Sequence, residues 1–482
     1  MQQFDSLLNA AEKAAALIRK HAENGALIHV VSHLDADGLS AAGIIGKALF
    51  RLNATFRVRI ERWLDQKIIE SIQADKPSLI IFCDFGSGDL GTLNASLSGR
   101  DIVILDHHQL VGEADSSFIQ VNPHVYGVDG SKDLSAAGAT YLVAKAVDKR
   151  NIDLACIAIV GALGDLQDKY EQRKLGGPNA TIMQDAVNSG FLTVESDLLF
   201  FGRETRHIHK ALAATTTPFI SGLSGEEDRS LAFLASLGIT PKRGDKWRAL
   251  RDLSDDEKKR LFNALVDLLV TKGLPGEVAM NLLRGSVYTL TQEEPWTPLR
   301  DAREFAVLLN ATGRMDKPSL GVAICMGDRR AAFEEATQVL EEYRRTITKY
   351  LSWLMEPESG RIEEMNSIYV VRGESVVDDK VIGTISSILS TNLAKPEKPI
   401  IAYSTMTEEG LAKISARTID AMTSRGVNLA EALRIAAEKY SGKGGGHNIA
   451  AGAQVPISDL EAFLKLVDEI VRKQLEGANV GS

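Results

Sequence analysis

Three apolar runs near the start of the chain each stop abruptly at a cluster of carboxylate and imidazole groups, and this repetition constrains the fold more than any other feature. Ala26 to Ser32 runs into His33-Leu34-Asp35-Ala36-Asp37-Gly38, Ser78 to Cys83 into Asp84-Phe85-Gly86, and Asp101 to Leu105 into Asp106-His107-His108-Gln109. Runs this short and this apolar read as strands buried on both faces. Thr55 to Glu61 is a further β-like run. Leu39 to Leu49, Leu134 to Val147 and Leu154 to Leu163 read as helices, the last ending in Gly164-Asp165. Strands alternating with helices predict an α/β fold with a mostly parallel sheet and crossover helices. Parallel strands point their carboxyl ends the same way. Asp35, Asp37, Asp84 and Asp106 are therefore expected along one sheet edge, where clefts of open α/β sheets form.

With 482 residues the chain exceeds what one core usually accommodates, so two or three domains are expected. No uninterrupted apolar run approaches membrane-spanning length. Met1 to Asn24 scatters charges through its apolar pattern and reads as an amphipathic helix, not a signal peptide. Cys83, Cys156 and Cys325 lie far apart, each in an apolar run, which fits small core residues in a reducing cytoplasm and excludes a CxxC metal site. The net charge of −9 argues against non-specific coating of nucleic acid or anionic lipid, but it is compatible with a nuclease whose charge bound cations partly cancel.

Four segments are predicted: a metal-binding domain over 1–195, a mainly helical insertion over 196–305, a short element and linking helix over 306–360, and a smaller α/β domain over 361–482. In the insertion, Ser254-Asp255-Asp256-Glu257 ahead of Leu261 is a capping-box signature. Asn310-Ala311-Thr312-Gly313-Arg314 is expected to interrupt the helical region before a charged helix from Arg329 to about Met355. In the last domain Ser367 to Arg372, Pro399 to Ser404 and Leu411 to Arg417 read as strands, with helices around Ile382 to Asn392 and Leu429 to Tyr440. Gly442-Lys443-Gly444-Gly445-Gly446-His447 is expected to be a glycine-rich loop whose N–H groups can approach a phosphate closely, with His447 adding a donor.

The polar set of the first domain has its own chemistry. Borderline divalent metals, Mn²⁺ especially, accept mixed carboxylate and imidazole ligands. His33, Asp35, Asp37, Asp84, Asp106, His107, His108 and Asp165 are enough for two ions sharing a bridging carboxylate. Asp84 and Asp165 follow directly on apolar sequence, where an uncompensated charge would be costly. Two ions roughly 3.5–4 Å apart clamp the attacking and leaving oxygens of an in-line phosphoryl displacement.

These motifs, in order, resemble those of the DHH phosphoesterase superfamily: His33-x-Asp35-x-Asp37-Gly38, Asp84, Asp106-His107-His108 and Gly164-Asp165. Gly444-Gly445-Gly446-His447 resembles the signature loop of the accompanying DHHA1 domain, and Asn310 to Arg314 the Asn-Ala-x-Gly-Arg element of RecJ-type nucleases. The longer insertion, and the lack of a carboxy-terminal nucleic-acid-binding extension, look most like archaeal RecJ-like nucleases, some of which bind the GINS replication complex. The resemblance implies that His33, Asp35 and Asp84 hold one Mn²⁺, with Mg²⁺ or Co²⁺ as alternatives. Asp37, Asp84, His107 and Asp165 would hold the second, with Asp84 bridging. It implies further that Asp106 orients a histidine, that His108 faces the scissile phosphate, that Ser415 and Arg417 grip the terminal phosphate, and that Arg314 hooks the incoming strand.

The function so implied is a Mn²⁺-dependent exonuclease on single-stranded DNA or RNA. A phosphodiesterase of oligonucleotides or cyclic dinucleotides is the alternative among enzymes, and a GINS-associated replication scaffold the alternative outside them. Aromatic residues make up only 6% of the chain, and no stacking platform is evident from the sequence.

Overall fold

The computed structural model describes residues 2–215, 218, 220–356, 359–392 and 398–478. The chain divides into two compact units. The first comprises 1–215 and 222–340, the second 216–221 and 341–482.

In the first unit, α1 (Gln2–Glu23) precedes β1 (Ile28–His33), α2 (Ala36–Arg51), β2 (Phe56–Glu61), α3 (Gln66–Ala74), β3 (Leu79–Cys83), α4 (Leu90–Leu97), β4 (Ile102–Leu105) and β5 (Phe118–Val121). These strands form one parallel sheet in the order β2-β1-β3-β4-β5. All of β3 and β4 is buried, so no polar side chain could be placed there without a partner. The edge strand β5, Phe-Ile-Gln-Val, is too short and too mixed to stand out in the sequence. Next come α5 (Ala136–Val147), α6 (Ala155–Gly164) and α7 (Gly177–Asn188). The small residues of α2, α5 and α6 let these helices approach closely, and nearly every residue of α6 is buried.

The insertion begins with β6 (Leu192–Leu198) and holds α8 (Ile208–Ala213), α9 (Glu227–Ser236), the hairpin β7 (Lys242–Arg243) and β8 (Lys246–Trp247), α10 (Asp255–Thr271) and α11 (Gly276–Leu283). It returns through β9 (Arg284–Leu290), which pairs antiparallel with β6. Ser254 caps α10 in a reciprocal capping box with Glu257. Then follow α12 (Ala302–Arg314), α13 (Pro318–Cys325) and α14 (Ala331–Leu354), and the unit boundary falls inside α14. Asn310 to Arg314 does not interrupt the helical region. It is the last part of α12, which tolerates Gly313 because that position is packed against backbone.

The second unit contains β10 (Ile362–Glu364), β11 (Tyr369–Arg372), α15 (Ile382–Asn392), β12 (Ile400–Met406), β13 (Leu411–Arg417), α16 (Asp420–Thr423), α17 (Leu429–Lys439), β14 (Lys443–Gly446), β15 (Ala450–Pro456) and α18 (Leu460–Ala478). Its sheet runs β10-β11-β12-β13-β15-β14, parallel only between β11 and β12. One face is covered by α17 and α18 over a core that includes Ile401, Ile414, Leu433, Val455 and Phe463. The expected glycine loop is largely an edge strand. Gly444 is needed there because a Cβ would sit 2.6 Å from the Leu433 carbonyl oxygen of α17.

Candidate metal centre

Pairing in the sheet sets the site. Ser32 is in register with Cys83, and Cys83 with Leu105, so the residues that follow leave β1, β3 and β4 at one level. The Asp84 N–H donates to the Leu105 carbonyl at 2.9 Å, and the backbone then turns into the left-handed region at Asp84, φ +61°. That conformation costs a non-glycine residue on the order of 1–3 kcal/mol, and it persists only where the surroundings over-determine it. It leaves the Asp84 carboxylate buried between two histidines, 3.4 Å from His33 Nδ1 and 3.4 Å from His107 Nε2.

Two ligand sets overlap around it. His33, Asp35 and Asp84 form one trio, with His33 Nδ1 3.1 Å from Asp35 Oδ2. Asp37, His107 and Asp165 form another, with His107 Nε2 3.0 Å from Asp165 Oδ2 and 3.8 Å from Asp37 Oδ2. Asp84, His107 and His108 form a third grouping that joins them.

Each group is held from behind. Asp35 caps α2 by accepting from the Gly38 N–H. Asp37, fully buried, accepts from Ala136 N–H at 2.7 Å and Ala137 N–H at 3.0 Å, the first amides of α5. Asp165 caps the carboxyl end of α6. Asp106 accepts from the backbone of Ser87, His107 and His108 and from His108 Nδ1 at 2.8 Å, so its lone pairs are spent on holding the loop. The His108 side chain remains 46% exposed, available to a group arriving from solvent.

His107 shows why the arrangement calls for a cation. Its Nδ1 lies 2.7 Å from the Gly130 carbonyl oxygen, which can only accept, so Nδ1 carries a proton. In the neutral ring Nε2 then presents a lone pair to carboxylate oxygens. His107 Nε2 and Asp84 Oδ1 are both buried without a hydrogen-bond partner among the described residues. A divalent ion satisfies both, and the carboxylate–imidazole donor set suits it.

The electrostatics agree. Burial, then the Asp165 and Asp84 charges, push the Asp37 carboxyl well above its usual range. Burial and Asp35 raise Asp84. Burial opposes protonation of His107, yet the Asp165 and Asp84 carboxylates carry it well above the ordinary histidine value. His33 is raised likewise against burial by Asp35 and Asp84, and His108 by Asp106. Asp35 and Asp106 are held low against burial, by His33 and His108 respectively. Carboxylates gathered this closely raise the affinity for positive charge at one point, which favours a divalent cation there.

In the second unit Ser415 and Arg417 lie on β13, and Ser415 is level with Gly452 of β15 and Gly445 of β14. Ser415 Oγ is 3.1 Å from Ser386 Oγ, and Arg417 Nε donates to Ser387 Oγ at 3.0 Å. Nothing stands within 4 Å of where a Gly445 Cβ would be, so the row beside Ser415 is open backbone. Gly444 and Gly446 flank it, His447 N–H donates to the Ala450 carbonyl, and Arg314 closes α12 in the first unit.

Several residues escaped sequence reasoning. A Cβ on Gly161 would meet Asp37 Oδ1 at 2.4 Å, and one on Gly130 would meet the His107 carbonyl oxygen at 2.1 Å. Gln167 donates to the Gly130 carbonyl at 3.0 Å and is itself held by Asn179. Arg62 and Trp63 form a guanidinium–indole pair, 4.9 Å to the ring centroid, just past the end of β2. A basic–aromatic pair directly after a strand was the available signal for that one.

Comparison with known proteins follows the same division. The model of the DHH family, N-terminal domain, matches residues 27–162, that of the DHH-CID domain 200–283, and that of the DHHA1 domain 366–473. The uncharacterized protein MJ0831 of Methanocaldococcus jannaschii is 33% identical over 476 residues, covering 97% of this chain and 99% of that one. The chain belongs to the DHH/DHHA1 phosphoesterase family. A putative prophage-derived single-strand DNA-specific exonuclease of Bacillus subtilis, YorK, is 26% identical over 54% of this chain, which spans about half (47%) of that relative. The fold is that of RecJ from Thermus thermophilus in complex with Mn²⁺ (TM-score 0.59, 17% identity, 96% of this chain and 55% of that one). It is also that of CDC45 from Entamoeba histolytica (TM-score 0.62, 11% identity, 96% and 99%). As a RecJ-like member of the DHH/DHHA1 family, the chain is a metal-dependent phosphoesterase. Among the described residues no helix is long and apolar enough to cross a membrane.

Proposed function

We propose that this DHH/DHHA1 protein is an exonuclease that hydrolyses terminal phosphodiesters of single-stranded DNA or RNA with two Mn²⁺ ions, Mg²⁺ or Co²⁺ serving as alternatives. The observation that carries the reading is the pair of ligand sets meeting at the buried, left-handed Asp84. His33, Asp35 and Asp84 would hold one ion, and Asp37, Asp84, His107 and Asp165 the other. Bound together, two such ions supply an activated water and neutralise charge on both the attacking and leaving oxygens.

The chain's own groups would do the rest. Asp106 fixes the ring of His108, whose Nδ1–H is committed to that carboxylate, and the half-exposed ring would donate to a phosphoryl oxygen as charge develops there. Arg417 and Ser415 would take the terminal phosphate, the guanidinium matching it in a fork of donors. Gly444, Gly445 and Gly446 would admit the sugar-phosphate backbone, with His447 and Arg314 as further donors. The nuclease reading is supported by the single-strand specificity in YorK's name, and the choice of Mn²⁺ by the RecJ complex.

A role in DNA repair or replication in the cytoplasm accompanies this reading. A second reading, a scaffold that docks on GINS, is favoured by the near full-length fold likeness to CDC45. It is compatible with hydrolysis, and a pull-down with purified GINS tests it.

The deciding experiment is digestion of end-labelled DNA and RNA strands of each polarity with Mn²⁺, beside duplexes and dinucleotides. Long single strands should shorten to mononucleotides, and Asp84→Ala should abolish the reaction. Cleavage of dinucleotides alone would overturn the exonuclease reading.

A further inference from the structure

We infer that Asn310 and Gly313 of α12 are positioning residues that clamp the metal-binding loop His33-Leu34-Asp35. The inference rests on the two-ion reading of the site and adds to it residues that touch neither metal nor phosphate.

The loop between β1 and α2 has two needs. The first amides of α2 lack partners within the helix, and the loop must keep its shape so that His33 and Asp35 aim at one point. Asp35 answers for the Gly38 N–H at 3.0 Å. The Ala36 N–H is answered from 274 residues away, by Asn310 Oδ1 at 3.1 Å. One turn later, a Cβ on Gly313 would lie 1.8 Å from the Leu34 carbonyl oxygen and 2.9 Å from its carbon. No side chain fits there without moving either the loop or α12.

Ala306, Asn310 and Gly313 recur at helical spacing, so one face of α12 carries the whole contact. Ala306 extends it towards the other ligand set. A Cβ on Gly164, the residue before Asp165, would stand 2.6 Å from Ala36 Cβ and 3.7 Å from Ala306 Cβ. The amino end of α2 and the carboxyl end of α6 therefore pack beneath one face of α12.

The start of α12 is tied down independently. Asp301 caps it through the Arg303 and Glu304 N–H groups. Arg303 pairs with the buried Asp168 at 2.7 Å and donates to the Ser286 carbonyl of β9 at 2.8 Å. Glu304 accepts from the Glu204 N–H at 2.8 Å. The helix is thus a strut fixed at one end to the insertion and at the other to the metal loop. Its last turn carries the Asn-Ala-x-Gly-Arg element because close approach requires a glycine and the helix cap requires an acceptor.

The test measures Mn²⁺ uptake by the full chain in calorimetric titrations, with Mn²⁺ EPR reporting whether the two ions are spin-coupled. Wild type should bind two coupled ions. Asn310→Ala and Gly313→Ala should each lose roughly 10–100-fold in affinity at the His33/Asp35 site, the range seen when supporting partners of metal ligands are removed. The Asp37/His107/Asp165 site should keep its affinity and the spin coupling should disappear. Asn310→Asp, which retains the acceptor, should restore the first site, whereas loss through general destabilisation would not be rescued selectively. Should Gly313→Ala fail to fold, the Asn310 pair alone decides. Two coupled ions of unchanged affinity in Asn310→Ala would overturn this inference and leave the metal reading intact. Wild-type protein that takes up no Mn²⁺ would overturn both.

Discussion

Replacing Asp84 by Asn should make the metal-free protein more stable and the metal-loaded protein less so. Asn keeps the size of the side chain and tolerates the left-handed backbone at φ +61°, so the exchange removes a charge and little else. Without metal that charge is a burden: the residue is 3% exposed, and burial and Asp35 disfavour its ionised form more than His107 and His33 favour it. Relieving such a site commonly yields about 1 kcal/mol, equivalent to a rise in Tm of about 1–2 °C in a unit of this size. With Mn²⁺ at about 100 times its Kd, each occupied site adds about 2.7 kcal/mol to the wild type, or about 5 kcal/mol for two. The variant lacks the ligand common to both sets and should gain less than about 1 kcal/mol. Melting curves in EDTA and in Mn²⁺ should therefore cross: Asp84→Asn above wild type in the first, below it in the second. An Asp84→Asn protein that melts several degrees below wild type in EDTA, or gains as much from Mn²⁺, would refute the assignment of Asp84 as the shared ligand.

Other expectations follow from single residues. Leu166 occupies the left-handed position that ends α6, at φ +55° and 64% exposed, with the Gln167 N–H returning to the Ala162 carbonyl, so Leu166→Gly should relieve about 1–2 kcal/mol of strain. Greater freedom of the unfolded glycine returns roughly 0.4–1 kcal/mol of that, leaving a small net rise in Tm; a fall would show that the leucine is packed in place. Burial and Asp301 raise the Glu304 carboxyl from 4.5 to about 7. Between those values the unfolded chain releases a proton that the native chain keeps. Stability should therefore fall by roughly 3 kcal/mol as pH rises through this window and level off above it, and Glu304→Gln should remove this contribution from denaturation curves taken at each pH. Gly444→Ala should cost about 1–3 kcal/mol by forcing β14 away from the Leu433 carbonyl, seen as an earlier melt of the second unit, and an unchanged melt would contradict that contact.

Much of the site was legible because strand ends are local features. Asp84 follows Leu79–Cys83 without a break, and a carboxylate directly after a fully buried run has to meet something. His107 and His108 follow Asp106 in the same way. Their convergence required only that β1, β3 and β4 be parallel neighbours, which alternation with helices already implied. Glycine was harder to read. Lys443 to Gly446 looked like a loop because glycine disfavours strands, but the pressure of α17 on that strand outweighed propensity. Asn310 to Arg314 looked like a break for the same reason, and it is helix because its glycine faces backbone.

The sequence by itself determined the alternating α/β order, the polar groups at the strand ends and the donor chemistry those groups offer, since each depends on residues adjacent along the chain. Tertiary structure alone decided which residues stand behind them. Gly161 makes room for Asp37, the Gly130 carbonyl sets the tautomer of His107 while Gln167 holds that carbonyl, and Asn310 answers an amide 274 residues away. These contacts depend on atoms brought within a few ångströms by packing, and which distant residues become partners is not written in the order of residues.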